Sequence, residues 1–122
     1  MTFKEILSAV VERTPGAFAA AIMASDGIPI EEYAREESDF DLASMVVEFQ
    51  QIFDQSSKVA GAFYEGQGDA LSELILVTRG HQLLFRKIDD EFFLVVAIGP
   101  NGSLGKARYL VRSVLHELRD AL

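Results

Sequence analysis

Residues 92–112 read FFLVVAIGPNGSLGKARYLVR, carrying a strand, a turn and a helix in one run. The apolar series that closes at Ile98 is the body of a strand predicted over residues 91–98, bounded by turn-forming residues. Pro100, Asn101 and Gly102 make the turn. Beyond it Ala107, Leu110, Val111, Val114, Leu115 and Leu118 recur at the spacing of one helical face.

Three glycines and a lysine at this junction raise a second reading, a cradle for phosphate. A P-loop needs a glycine, four residues, then Gly-Lys followed by a hydroxyl residue that reaches the metal. Here Gly105 and Lys106 would need the first glycine where Pro100 stands, and Ala107 holds the hydroxyl position. The even spacing of Gly99, Gly102 and Gly105 also breaks the dinucleotide pattern G-x-G-x-x-G. What remains is a turn feeding a helix N-terminus with outward amides.

Upstream, Thr2 and Glu5 have capping-box spacing. Phe3, Ile6, Leu7, Val10 and Val11 then repeat at helical period until Thr14, Pro15 and Gly16 stop the helix. Residues 17–25 form an apolar run rich in alanine, and residues 28–35 turn polar. Asp26-Gly27 between them, tolerant of positive φ, predicts a tight hairpin whose first strand is the more buried. The alanines predict close approach of a helix to that strand.

An acidic loop follows at residues 36–41, with Asp39 or Asp41 as a cap for the next helix. From Leu42 the apolar positions are Met45, Val46, Phe49, Ile52, Phe53, Val59, Ala60 and Phe63, ended by residues 64–68. This stripe is wide for a helix lying on one sheet face. It fits either a helix on its own core or one that also meets a second copy of the chain. Residues 71–79, 82–88 and 91–98 read as three strands, separated by Gly80-His81 and Asp89-Asp90. The order is α-β-β-α-β-β-β-α, an α+β chain with one antiparallel five-stranded sheet, organised as a single domain over residues 1–122.

Hydrophobic residues make up 49% of the 122 residues and charged residues 25%, which argues against disorder. No apolar run is long enough to cross a bilayer, and the N-terminus lacks a secretory signal. The absence of cysteine excludes disulfides and thiolate chemistry and fits a cytoplasmic location. A net charge of −8 disfavours nucleic acid and anionic membrane as partners. His81 and His116 lack ligand spacing and are expected on the surface, so no metal site is expected. Glu31, Glu32, Glu36, Glu37, Asp39 and Asp41 crowd a strand end and loop open to water, with nothing to shift a carboxyl for acid–base work. No serine has an elbow context. No catalytic residue and no cofactor is expected. Lys106, Arg108 and Arg112 lie on the last helix, either as a solvated face or as a docking edge for an acidic surface.

The element order, the wide middle helix, and the segments ASDGIPIEEY and FFLVVAIGPNGSLGKARYLVR resemble the Roadblock/dynein light-chain family over nearly the whole chain. The likeness is greatest to bacterial members that regulate the Mgl small GTPase of gliding motility and cell polarity. The resemblance implies a profilin-like sandwich and a homodimer in which middle helices pack across a two-fold axis and third strands pair. Met45, Val46, Phe49, Ile52, Phe53, Leu74 and Leu76 are the expected interface. It also implies a Ras-like small GTPase or another Roadblock protein as partner, met by Asp26, Gly27, Ile28, Lys106, Arg108 and Arg112. Family members that accelerate GTP hydrolysis insert no arginine finger. The chain ends within its third helix, without the extension of bacterial activator-type members, so a non-catalytic adaptor is expected. Direct GTPase activation is the alternative, and a small-molecule sensor of the PAS or profilin-like kind is a second.

Overall fold

The computed structural model describes residues 1–38, 41–63 and 71–122; the cap expected at Asp39 and the helix stop at residues 64–68 lie outside them. The elements are α1 (Phe3–Arg13), β1 (Ala17–Ala24), β2 (Pro29–Ala34), a 3₁₀ turn (Leu42–Met45), α2 (Val46–Phe63), β3 (Glu73–Val77), β4 (Gln82–Lys87), β5 (Phe92–Ile98) and α3 (Leu104–Ala121). The α+β order α-β-β-α-β-β-β-α is the expected one. All strand pairs are antiparallel, in the order β2-β1-β5-β4-β3. The sheet is open, with β2 and β3 as its edges.

Alternation along the strands divides the core into two layers. Ala17, Ala20, Ile22, Leu84, Leu94, Val96 and Ile98 face α1 and α3, which contribute Ile6, Leu7, Val10, Val11, Ala107, Val111 and Leu118. Ala19, Ala21, Met23, Leu83, Phe85, Phe93, Val95 and Ala97 face the other way, toward Leu42, Phe49 and Phe53. There Phe49 meets Phe85 edge-on at 5.5 Å and Phe53 stacks on Phe93 at 4.7 Å. The alanines of β1 let α1 lie close on one face and the 3₁₀ turn on the other.

Local chemistry sets the boundaries. Thr2 Oγ1 accepts from the Glu5 amide and Glu5 accepts from the Thr2 amide, completing the capping box of α1. Ser103 caps α3 by accepting from the Lys106 amide. The Asp26-Gly27 hairpin has a three-residue loop, not a two-residue one. The Gly27 amide donates to Ala24, the Ala24 amide to Ile28, and only Gly27 takes positive φ, at 95°. Asp26 accepts from the Ile28 amide. The link from β3 to β4 spans residues 78–81, because the Thr78 hydroxyl accepts from the His81 amide and widens the expected Gly80-His81 turn. The helix expected from Leu42 begins as a 3₁₀ turn, whose Leu42 amide donates to Glu32 on β2 at 3.2 Å.

Candidate functional site

The glycine junction is packed against another turn of the chain. The Gly99 amide donates to Gly16 at 2.9 Å, the Gly102 amide to Gly99 at 3.0 Å, and the Ser103 amide to Pro15 at 2.8 Å. A Cβ on Gly102 would collide with Ile98, and one on Gly16, where φ is +83°, would collide with Gly102. The glycines allow the α1–β1 turn to press on the β5–α3 turn. The Gly99, Gly102, Ser103 and Lys106 amides are thus bonded within the fold.

The outer side of α2 is where the wide stripe divides. Phe49 (1% exposed) and Phe53 face inward, so their side chains belong to the core of the subunit and not to the expected pairing face. Val46 and Ile52 are half-buried at the boundary, and Met45 is exposed. Val47, Val59 (62%) and Phe63 (80%) also stand in solvent, outside the set of contacts expected from the sequence. Beside the C-terminal half of α2 runs β3, where on the face toward α2 Leu76 is exposed and Leu74 is half-buried. Among the described residues no strand pairs with the outer side of β3. Between helix and strand lies a groove of about 760 Å³, walled by Val59, Ala60, Phe63, Leu71 and Leu74. The two apolar surfaces meet there.

Partner residues expected from the sequence fall into two groups that the fold keeps apart. Asp26, Gly27 and Ile28 sit at the hairpin tip, at the end of the sheet where the Ser25 amide donates to Glu91. Ile28 is exposed, and a Cβ on Gly27 would lie 3.9 Å from Gln50 of α2. Lys106, Arg108 and Arg112 are on α3, whose first turn abuts Pro15 and Gly16 at the opposite end. They are also on the other face of the sheet from α2.

Arg108 is held by Glu73 of β3 through two hydrogen bonds, at 2.7 and 3.0 Å, and Arg86 of β4 lies 3.9 Å from the same carboxylate. The Arg108 hydrogen bond, with the charges of Arg86 and Arg112 added, holds the Glu73 carboxyl below the usual carboxylate range. The same contact raises Arg108. Glu32, expected in open solvent, is instead half-buried. Burial pushes its carboxyl up despite the Leu42 amide, and the Asp41 charge adds to the rise. Its signal in the sequence was faint: a carboxylate on the same strand face as Ile30.

His81 is exposed at the β3–β4 turn with its ring 5.7 Å from Phe18, and His116 is exposed beside Asp120. Among the described residues no three metal-ligating side chains gather, and no helix is long and apolar enough to cross a membrane. A polar cleft of about 380 Å³ between α2 and the β4–β5 turn has Phe53 and Phe93 in its lining. Its Lys87 pairs with Asp90 at 3.1 Å, and its Asp89 accepts from the Glu91 and Phe92 amides.

No protein-family model matches the sequence, and no curated protein matches it. Solved structures do. MglC from Myxococcus xanthus is 29% identical, with TM-score 0.71 and 100% of each chain covered. A Roadblock/LC7 domain from Streptomyces avermitilis has TM-score 0.82 at 15% identity, over 98% of this chain and 97% of that one. The gliding protein MglB from Thermus thermophilus has TM-score 0.83 at 15% identity, over 96% of this chain and 85% of its own. The element order, the open five-stranded sheet and the full-length likeness to MglC give this chain the Roadblock/LC7 fold, with Mgl-type proteins among its structural neighbours.

Proposed function

We propose that the chain is a non-catalytic, homodimeric adaptor in a Ras-like small GTPase system of the cytoplasm, serving cell polarity or motility. The observation that carries this reading is the apolar surface shared by outer α2 and β3. A strand whose outer edge has no partner among the described residues, and whose last four residues are Leu-Ile-Leu-Val, invites another strand, and exposed Phe63 beside it enlarges the apolar area. A second copy satisfies both at once: β3 pairs with its counterpart while the two α2 helices cross above. Met45, Val46, Ile52, Leu74 and Leu76 then serve as interface, joined by Val59 and Phe63.

The separated groups on the hairpin tip and on α3 suit an adaptor, because two surfaces on different faces can hold two partners. We assign the Asp26–Ile28 tip to the GTPase or a second Roadblock protein, and the basic helix to another contact. Pull-down against small GTPases and Roadblock proteins of the same genome, with light scattering for mass, tests the proposal. Capture of at least one and a dimeric mass support it. Capture of none, or a monomeric mass at working concentration, ends it.

A further inference from the structure

The helical layer formed by α1 and α3 stops short of β3. Ile75 and Val77, on the β3 face that looks toward this layer, are exposed and form an apolar shelf beside α3. Packed helices sit about 8–10 Å apart, close to two strand spacings of about 4.8 Å. With α3 lying against β4, the place next to it runs along the outer margin of β3, and it is one helix wide.

The wall of that place is cationic. Arg108 and Arg112 flank the shelf, and all three of Arg86, Arg108 and Arg112 act on Glu73. Among the described residues Arg86 Nε is buried without a hydrogen-bond partner, and the Glu73 fork holds Arg108 in one orientation. On the crest of α3 Tyr109 is 64% exposed, with the Lys106 ammonium 5.5 Å from its ring centre. This local excess of positive charge stands on a chain of net charge −8. A polyanion such as nucleic acid would be repelled by the rest of the surface and would leave the shelf unfilled. An amphipathic helix with an acidic flank matches both parts: apolar side chains on Ile75 and Val77, carboxylates on Arg108 and Arg112.

We infer that the shelf between β3 and α3 is a docking site for an acidic amphipathic helix of a partner protein. This rests on reading the basic helix as a partner face and gives that partner its chemistry. It does not depend on the homodimer.

The test uses the full ¹⁵N-labelled chain and two synthetic helix-forming peptides. One carries leucine at helical spacing with glutamate elsewhere, and the other has lysine for every glutamate. The acidic peptide should shift the amides of β3 and of residues 105–113, and the basic one should not. Arg112→Glu, at an exposed position, should weaken the acidic peptide on the order of tenfold, as should raised salt, whereas Lys106→Glu on the far flank of α3 should not. Circular dichroism checks that the variants stay folded. Absence of binding, shifts confined to α2, or an affinity indifferent to Arg112→Glu would overturn the site. If the peptide fails while pull-down of a GTPase or Roadblock protein succeeds, only the helix site falls. If both fail, the partner reading of α3 falls with it.

Discussion

The two edges of this sheet are built in opposite ways. β2 opens with Pro29, which has no amide to offer, and carries Glu31 and Glu32. On one face α1 covers it, with the Tyr33 hydroxyl donating to Glu12 at 2.9 Å and Arg35 donating to the Val11 carbonyl at 3.2 Å. On the other face Glu32 holds the start of the 3₁₀ turn. β3 has one charged residue, Glu73, tied back to α3, and beyond it four apolar residues without a strand outside them among the described residues. Charge, proline and cover are the usual means of blunting an edge. One edge has all three, and the apolar run of the other has none, which supports the proposal that β3 is kept open for a partner strand.

The largest expected effect comes from giving β3 what β2 already has. Leu76→Lys should convert a dimer to a monomer by light scattering, while Ile30→Lys on β2 should leave the mass unchanged. A Leu76→Lys dimer would mean that β3 is not the pairing edge.

The glutamates of the two edges carry the contrast to an intermediate scale. Glu73→Gln removes a carboxylate that answers Arg108 and should lower stability near neutral pH by about 1–3 kcal/mol. The sign with pH follows from its lowered carboxyl. Its stabilisation is complete above the unfolded value and is lost as pH falls through the folded one. Glu32 is raised, so its ionised form costs stability near neutral pH and that cost fades as pH falls through the folded value. Glu32→Gln keeps an oxygen for the Leu42 amide and should be neutral or mildly stabilising near neutrality. Thermal melts of both variants and the parent across the acidic range check this. Equal losses from both would erase the distinction between the edges.

The smallest expected change in fold stability is at Phe63→Ser. So exposed a side chain should alter subunit stability by no more than about 0.5 kcal/mol, yet dilution should dissociate the dimer more readily. A large drop in unfolding midpoint for a variant already monomeric would place Phe63 in the subunit core.

Much of this was legible in the sequence because it is local. Thr2 with Glu5, the period of α3, and the punctuation at Asp26-Gly27 each act over a few residues, so the elements and their order could be read directly. The strand order could not. It depends on β1 pairing with β5, which no short pattern encodes. The stripe on α2 was visible, but periodicity cannot tell an inward Phe49 from an outward Phe63 when both are apolar. The grip of Glu73 on Arg108 joins positions 35 apart, and in the sequence each reads as an ordinary surface charge. Glu32 shows the same limit, since its burial follows from where the 3₁₀ turn comes to rest.

The β1–β5 ladder, which sets Ala17 opposite Ile98 in the middle of the sheet, bears on how the protein is made. A nascent chain still missing its final strand holds two hairpins with nothing between them to pair with, and each must wait with greasy faces bare. Closure then comes late and all together, at the cost of joining distant parts of the polypeptide. The two hairpins cannot be joined until β5 has been made, and until then their apolar faces stay open to neighbouring chains.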